Sequence, residues 1–151
     1  QIGMYMAAFL IPFAFLQYPL GAISDKIGRA IPLIVGSILY GIAVSIVGYV
    51  GPQMLGYVMV IGGIVGALMY SPSAALAGDF ANPSRRGTAM GGFNMFGSLG
   101  FAIGPFIGGL IADMYGFHVS FAVAGAAVLV IAIIFIPFLI KIKKRHLLQA
   151  G

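Results

Sequence analysis

The sequence predicts an all-α membrane protein, a polytopic helical bundle with five transmembrane helices. Only 7% of its 151 residues are charged and 61% are hydrophobic, whereas a soluble domain carries about a quarter charged residues. About 20 residues are needed to cross ~30 Å of hydrocarbon. Four stretches of the chain carry no charge, namely residues 1–24, 30–78, 87–112 and 114–140. Three of them are therefore single spans, and the longest contains two spans.

Each predicted span is bounded by charges or by helix-breaking residues. The first ends just before Asp25, and the longest stretch divides at "GYVGPQ", residues 48–53, where two glycines and a proline can turn the chain. The last apolar segment gives way to a basic segment, which we expect to be a cytoplasmic tail at 141–151. The predicted spans are 3–24, 30–49, 53–78, 87–112 and 118–140.

The composition argues against several classes of function. The chain has no cysteine and two histidines, His118 and His146, both at span ends, so no thiolate metal site or disulfide framework can form. The spans contain no paired acids and no nucleophile beside a base, so we predict no catalytic residue, no metal and no cofactor. The net charge of +5 comes from residues at the membrane boundaries. Basic residues at these positions are better explained by the orientation of the spans in the membrane than by nucleic-acid binding.

The distribution of basic residues predicts the orientation. All eight Lys and Arg residues follow the first, third and fifth spans, and none follows the second or fourth. Basic residues concentrate in cytoplasmic loops. We therefore expect an integral protein of the cell membrane, with the first residue of the chain outside and the last inside.

Two similar sequence phrases, each a segment of eight residues, occur at span ends that lie on opposite sides of the membrane. "GAISDKIG", residues 21–28, ends the first span, and "GLIADMYG", residues 109–116, ends the fourth. Segments three helices apart with reversed topology are typical of inverted repeats in secondary transporters. The alternative is coincidence, because G-x-x-x-D-x-x-G is a loose pattern in a chain with 23 glycines.

Two longer motifs carry a family resemblance. "GAISDKIGR" keeps four residues of a loop signature that reads roughly G-x-L-A-D-R-x-G-R, with Lys26 in place of the usual arginine; the four are Gly21, Asp25, Gly28 and Arg29. "GFAIGPFIGG" matches G-x-x-x-G-P-x-x-G-G at every fixed position, namely Gly100, Gly104, Pro105, Gly108 and Gly109. The chain thus resembles the major facilitator superfamily, and the second motif resembles its drug/proton antiporter-type members.

The resemblance implies a role for each motif. It implies an inner-gate charge cluster that favours the outward-facing state, formed by Asp25, Lys26, Arg29 and Asp79. Asp25 and Arg29 are four residues apart, the separation at which a helical pair can meet. The glycine-proline motif would seal the substrate path against leak. In the alternative interpretation, the charges only anchor helix ends and the glycines only allow close packing.

Three uncharged polar residues are candidates for the substrate path. Gln17 and Tyr18 lie in the first span and Asn94 in the fourth, where such groups can contact substrate or join helices by hydrogen bonds. Many proton-coupled members carry an arginine at the position of Gly62. Because this chain lacks that arginine, two questions stay open: whether protons are coupled through that position, and which half of a transporter the chain represents.

These observations predict transport of a small molecule by alternating access, with proton-coupled efflux as the leading hypothesis. The alternatives are an uptake symporter for a sugar, organic acid or peptide, and a membrane scaffold without transport. Five helices do not complete two repeats of three, so we expect a fragment of one half-bundle. Its partners would then be substrate, protons, the lipid bilayer and the missing half-bundle.

Overall fold

The computed structural model describes the backbone of residues 2–149 and the side chains of residues 2–141. The described chain is helical without a strand, and the connection before the fourth helix contains a short 3-10 turn at Pro83–Arg85. Each of the five α-helices is long and apolar enough to cross a membrane, which confirms the predicted fold class. They are α1 (Ile2–Ile27), α2 (Ala30–Val47), α3 (Pro52–Asp79), α4 (Arg86–Tyr115) and α5 (Phe117–Gln149).

Three helices extend three or more residues beyond the ends of the predicted spans. α1 continues to Ile27 and α4 to Tyr115, because a helix ends where its backbone hydrogen bonding stops rather than where charges begin. α5 continues to Gln149, through most of the predicted tail at 141–151, since no glycine or proline interrupts the chain after Pro137 in this helix. The side chains of Lys143, Lys144 and Arg145, and residue Gln1, lie outside the described residues.

The helices alternate in direction and pack around α2 and α3. α3 packs along α1 and α2, and α2 also packs along α5. α4 contacts α5 and meets α3 over a smaller region. The described backbones of α3 and α5 do not approach closely, but Leu76 and Leu139 belong to one buried cluster. This arrangement places the end of α3 between the ends of α1 and α4, where the charged residues lie.

Glycines allow the backbones of α1, α2, α3 and α5 to approach closely. A Cβ atom at Gly36 would lie 2.7 Å from the backbone nitrogen of Met69, and one at Gly63 would collide with the carbonyl oxygen of Phe9. Apolar surface gains little from burial among lipid tails, so small residues at helix crossings favour association by close packing. Most of the buried residues are accordingly alanine, glycine, serine or proline, and Leu76 and Leu139 are the larger members of the core.

The backbone supports the predicted inverted repeat. Gly28 and Gly116 end the two similar phrases, and they are the only described residues with positive φ, at 90° and 89°. Gly41 of α2 packs against Leu129 of α5. These two residues are 88 positions apart, the same offset as Gly28 and Gly116, so the α2–α5 contact includes a pair of repeat-equivalent positions.

Candidate functional site

The turn between α1 and α2 positions the first ion pair. α1 ends at Ile27, Gly28 adopts φ of 90° and α2 begins at Ala30. Arg29 donates from Nε to Asp25 Oδ1 at 3.1 Å, and its Nη2 lies 3.0 Å from the same oxygen. The pair therefore bridges the turn between two helices, whereas the spacing alone suggested a pair along one helix.

Arg29 also reaches the end of a third helix. Its Nη1 donates to Oδ2 of Asp79, the last residue of α3. The side chains of Arg29 and Asp79 are 25% and 33% exposed, against 58% for Asp25. Water screens an exposed pair more than a sheltered one, so Asp79 is the stronger partner of Arg29.

Sequence reasoning missed a fourth member, Arg86. Arg86 begins α4, and its Nη2 lies 3.8 Å from Asp79 Oδ1 while its Nε donates to the Gly78 carbonyl at 3.2 Å. An available signal was the short separation of seven positions between Asp79 and Arg86 across a predicted loop. We call Asp25, Arg29, Asp79 and Arg86 the charge network; it joins α1, α3, α4 and the start of α2.

The charge network borders an open surface groove of about 310 Å³. Small residues of α3 form much of the remaining lining, including Ala74 and Ala75. Lys26, which the sequence placed in the gate cluster, is exposed and makes no ion pair within the described residues. The network can hold four helix ends together, and its ion pairs must break for those ends to separate.

Gly21 of the loop signature lies at the contact between α1 and α3. A Cβ atom there would lie 2.7 Å from Ser71 Oγ, which donates to the Gln17 carbonyl at 3.1 Å. The side chain of Gln17 is half-buried, whereas Tyr18 is 86% exposed and Asn94 on α4 is also exposed. No hydrogen bond joins these three candidate path residues within the described part of the chain.

The glycine-proline motif forms an open face on α4. A Cβ atom at Gly100, Gly104 or Gly109 would meet no described atom within 4 Å. Gly108 lies beside α5, where Ser120 Oγ donates to its carbonyl at 2.7 Å. Pro105 lies inside the helix, and its ring removes one backbone hydrogen bond. The described structure therefore leaves most of this face available to another partner.

A row of four aromatic rings, also missed from the sequence, crosses α1, α3 and α4. Phe9 stacks on Phe13 with ring centroids 5.7 Å apart, and Phe13 packs on Tyr70 at 5.6 Å. Tyr70 packs on Phe93 at 5.7 Å. We call these four residues the aromatic row. The spacing of Phe9 and Phe13 gives one contact, but the sequence carries no signal that joins them to α3 and α4.

Five apolar helices of alternating direction, with their ion pairs at one end, define an integral membrane protein of the polytopic helical class. The sequence model of the Major Facilitator Superfamily matches residues 1–150. The chain belongs to this superfamily, whose members are transporters, and the resemblance drawn from the two motifs is confirmed.

Three relatives illustrate the range of similar proteins. A Methanocaldococcus jannaschii protein named as an uncharacterized MFS-type transporter is 34% identical over 136 residues, covering 89% of this chain and 35% of its own length. A probable sulfoacetate transporter of Cupriavidus necator is 33% identical over 129 residues, covering 83% and 30%. Multidrug resistance protein 2 of Bacillus subtilis is 29% identical over 153 residues, covering 99% and 38%.

The chain spans about a third of the length of these curated relatives. No solved structure matches it significantly.

Proposed function

We propose that the chain is part of a transporter that exports a small molecule by alternating access in exchange for protons. The observation that carries this proposal is that Arg29 holds Asp25 and Asp79, acids from two other helices, at one end of the bundle. Ion pairs between helix ends are suited to a gate, because they stabilise the closed arrangement and are lost when the ends separate. The same pairs would be difficult to explain as separate anchors in the membrane interface.

The gate lies at the cytoplasmic end in this proposal. Lys26, Arg29, Arg85 and Arg86 lie at the charge-network end, and Lys141 is in the part of α5 that runs toward the same end. No lysine or arginine occurs in the α2–α3 or α4–α5 connections. The bias of basic residues toward the cytoplasm then supports insertion in the cell membrane with the network inside.

The sheltered pair sets the strength of the gate. A hydrogen bond to a charged group contributes about 1.5–3 kcal/mol, and an exposed ion pair about 0–1 kcal/mol. The one-quarter to one-third exposure of Arg29 and Asp79 places this pair between those cases, at about 1.5 kcal/mol. Each 1.4 kcal/mol is a factor of about ten, so the pair would bias the populations toward the outward-facing state about tenfold.

The open face of α4 would meet the partner half-bundle of the same transporter. Gly100 and Gly104 lie four residues apart, share this face and have open space above them, which allows close approach of another helix backbone. Sealing along this face would limit leak while the gate is closed. The spans 30–78 and 87–112 contain no acid, so the group that carries the proton would belong to another part of the transporter.

A second candidate is uptake of an organic anion. It is favoured by the similarity to the probable sulfoacetate transporter of Cupriavidus necator. An anion would require basic groups in the path, and the same two spans contain neither lysine nor arginine. Efflux of a neutral or cationic molecule therefore agrees better with these residues.

Transport by the full-length protein in proteoliposomes tests both candidates. Ethidium and sulfoacetate would be assayed separately, with imposed proton gradients of either direction and with a protonophore. We expect ethidium to move against its gradient when protons move the other way, and the protonophore to abolish this movement. Sulfoacetate movement in the direction of proton flow would instead establish the uptake function. Movement of neither compound under any gradient would contradict both candidates.

A further inference from the structure

We propose that one exposed face at the end of α5 binds an anionic phospholipid of the leaflet at the charge-network end. The lipid phosphate binds at Lys141, Lys144 and Arg145, and an acyl chain lies along Val130 and Ile134. This inference adds a lipid site to the chain and does not depend on which molecule is transported.

The end of α5 lies at the charge-network end of the bundle. Leu139 belongs to one buried cluster with Ala30, the first residue of α2, and Leu76, three residues before the end of α3. Lys141 follows Leu139 by two residues. Lys141 is therefore at the same end of the bundle as Asp79, the last residue of α3.

The length of α5 places its basic residues at the depth of the lipid headgroups. Residues 119–140 carry no charge and extend about 33 Å at about 1.5 Å per residue, which matches the ~30 Å of hydrocarbon. The headgroup layer on each side is about 5–8 Å thick. The helix continues to Gln149, so residues 141–145 cross about 6 Å of this layer. All of them except Ile142 are basic.

Three of these basic residues share one face of the helix. Lys144 and Arg145 follow Lys141 by three and four residues, the separations at which positions on a helix are neighbours. Lys143 follows Lys141 by two residues and lies on another side of the helix. The backbone of α5 thus groups three of the four basic positions.

The same face is apolar and exposed within the membrane. Val130 and Ile134 precede Lys141 by eleven and seven residues, so all three lie on one helix face. Val130 and Ile134 are each more than half exposed, whereas Ala132 and Leu139 elsewhere on the helix are buried. This face therefore presents apolar surface in the hydrocarbon and basic residues at the headgroups.

The charges on α5 favour an anionic lipid. Lys141 is exposed and makes no ion pair within the described residues. Residues 114–151 contain no acid, so α5 has no carboxylate of its own to neutralise its basic residues. Basic clusters that directly follow a membrane span are typical of binding to anionic lipids. A phospholipid joins a phosphate to apolar chains and can occupy both parts of this face, and a zwitterionic lipid would bring a cation to the basic part.

Quenching by brominated phospholipids tests the inference on the full-length protein in nanodiscs. A single cysteine at position 134, in a background without other cysteines, carries a fluorophore. Phosphatidylglycerol and phosphatidylcholine with brominated chains are compared at equal mole fractions. We expect the wild-type basic segment to give a preference for phosphatidylglycerol of about tenfold or more. Lys144→Gln should reduce this preference about fivefold, the effect of one basic residue near an anionic lipid surface.

Two matched controls separate a site from general attraction to the membrane. Lys143→Gln removes the same charge from another side of the helix and should change the preference by less than about twofold. A fluorophore at position 123 lies on the same face, 18 residues before Lys141 and about 27 Å away, in the opposite leaflet. It should show no preference between the two lipids.

Three outcomes would overturn the inference. Equal effects of Lys143→Gln and Lys144→Gln would show a diffuse attraction without a site. Equal quenching by the two lipids at position 134 would show that the face does not select an anion. Absence of quenching by either lipid at position 134 would show that protein covers this face. Transport is measured separately, so each of these outcomes leaves the proposed function standing.

Discussion

Replacing Asp79 with asparagine should open the end of the bundle that carries the charge network. The variant keeps the size of the side chain but removes the charge that both Arg29 and Arg86 approach. Loss of about 1.5 kcal/mol for the sheltered Arg29 pair corresponds to about a tenfold shift in population. Asp25 is 58% exposed, so Asp25→Asn should cost less than about 1 kcal/mol and shift the population about fivefold or less.

The populations can be followed by cysteine labelling. A cysteine at position 75, in the lining of the open groove beside the network, would be introduced into the full-length protein without other cysteines. Its labelling rate by a membrane-impermeant maleimide, applied from the network side, should rise about tenfold in Asp79→Asn. Asp113→Asn, which removes the repeat equivalent of Asp25 at the opposite end of the bundle, should leave the rate unchanged. An equal effect of Asp113→Asn, or no effect of Asp79→Asn, would contradict the gate.

Three further predictions concern packing and backbone, and each is checked by thermal unfolding of the full-length protein in detergent. Gly63→Ala should destabilise it by about 1–3 kcal/mol because the methyl group would collide with a carbonyl of α1. Gly51→Ala, in the α2–α3 connection with open space around it and φ of −71°, should leave stability within about 0.5 kcal/mol, and equal losses in the two variants would argue against the backbone contact. Ser120→Ala should cost about 0.6 kcal/mol through the lost hydrogen bond to α4, and an unchanged midpoint would show that this bond contributes nothing. Gly116→Ala should cost about 1–3 kcal/mol because its φ is 89°, so a stabilised variant would contradict the backbone conformation.

The helices could be predicted because lipid imposes one requirement on each span. Every backbone polar group must be satisfied within the segment, so a charge-free stretch of sufficient length identifies a helix. The end of α5 could not be predicted in the same way, because a basic segment without glycine or proline is compatible with helix as well as coil. Charged residues in the sequence indicate where a span leaves the hydrocarbon, but they do not indicate where the helix ends.

The candidate site could be predicted only where a motif carries it. Asp25, Arg29 and Asp79 were identified from a signature and a matching acid, and the structure brings them together. Arg86 was missed because its role depends on the short connection between α3 and α4, and the aromatic row because phenylalanine is ordinary in any apolar span. Contacts between helices distant in sequence require knowledge of which helices are neighbours, and single-residue patterns do not contain it.

The connections between helices differ in length. α1 and α2 are separated by two residues and α4 and α5 by Gly116 alone, whereas six residues separate α3 from α4. A connection of one or two residues leaves the two helices little freedom to move independently, so each of these helix pairs should move as one unit. Four residues, 48–51, separate α2 from α3. Relative rotation within this chain is therefore accommodated best at the two longer connections, residues 48–51 and 80–85, where spectroscopic labels on the flanking helices would register it.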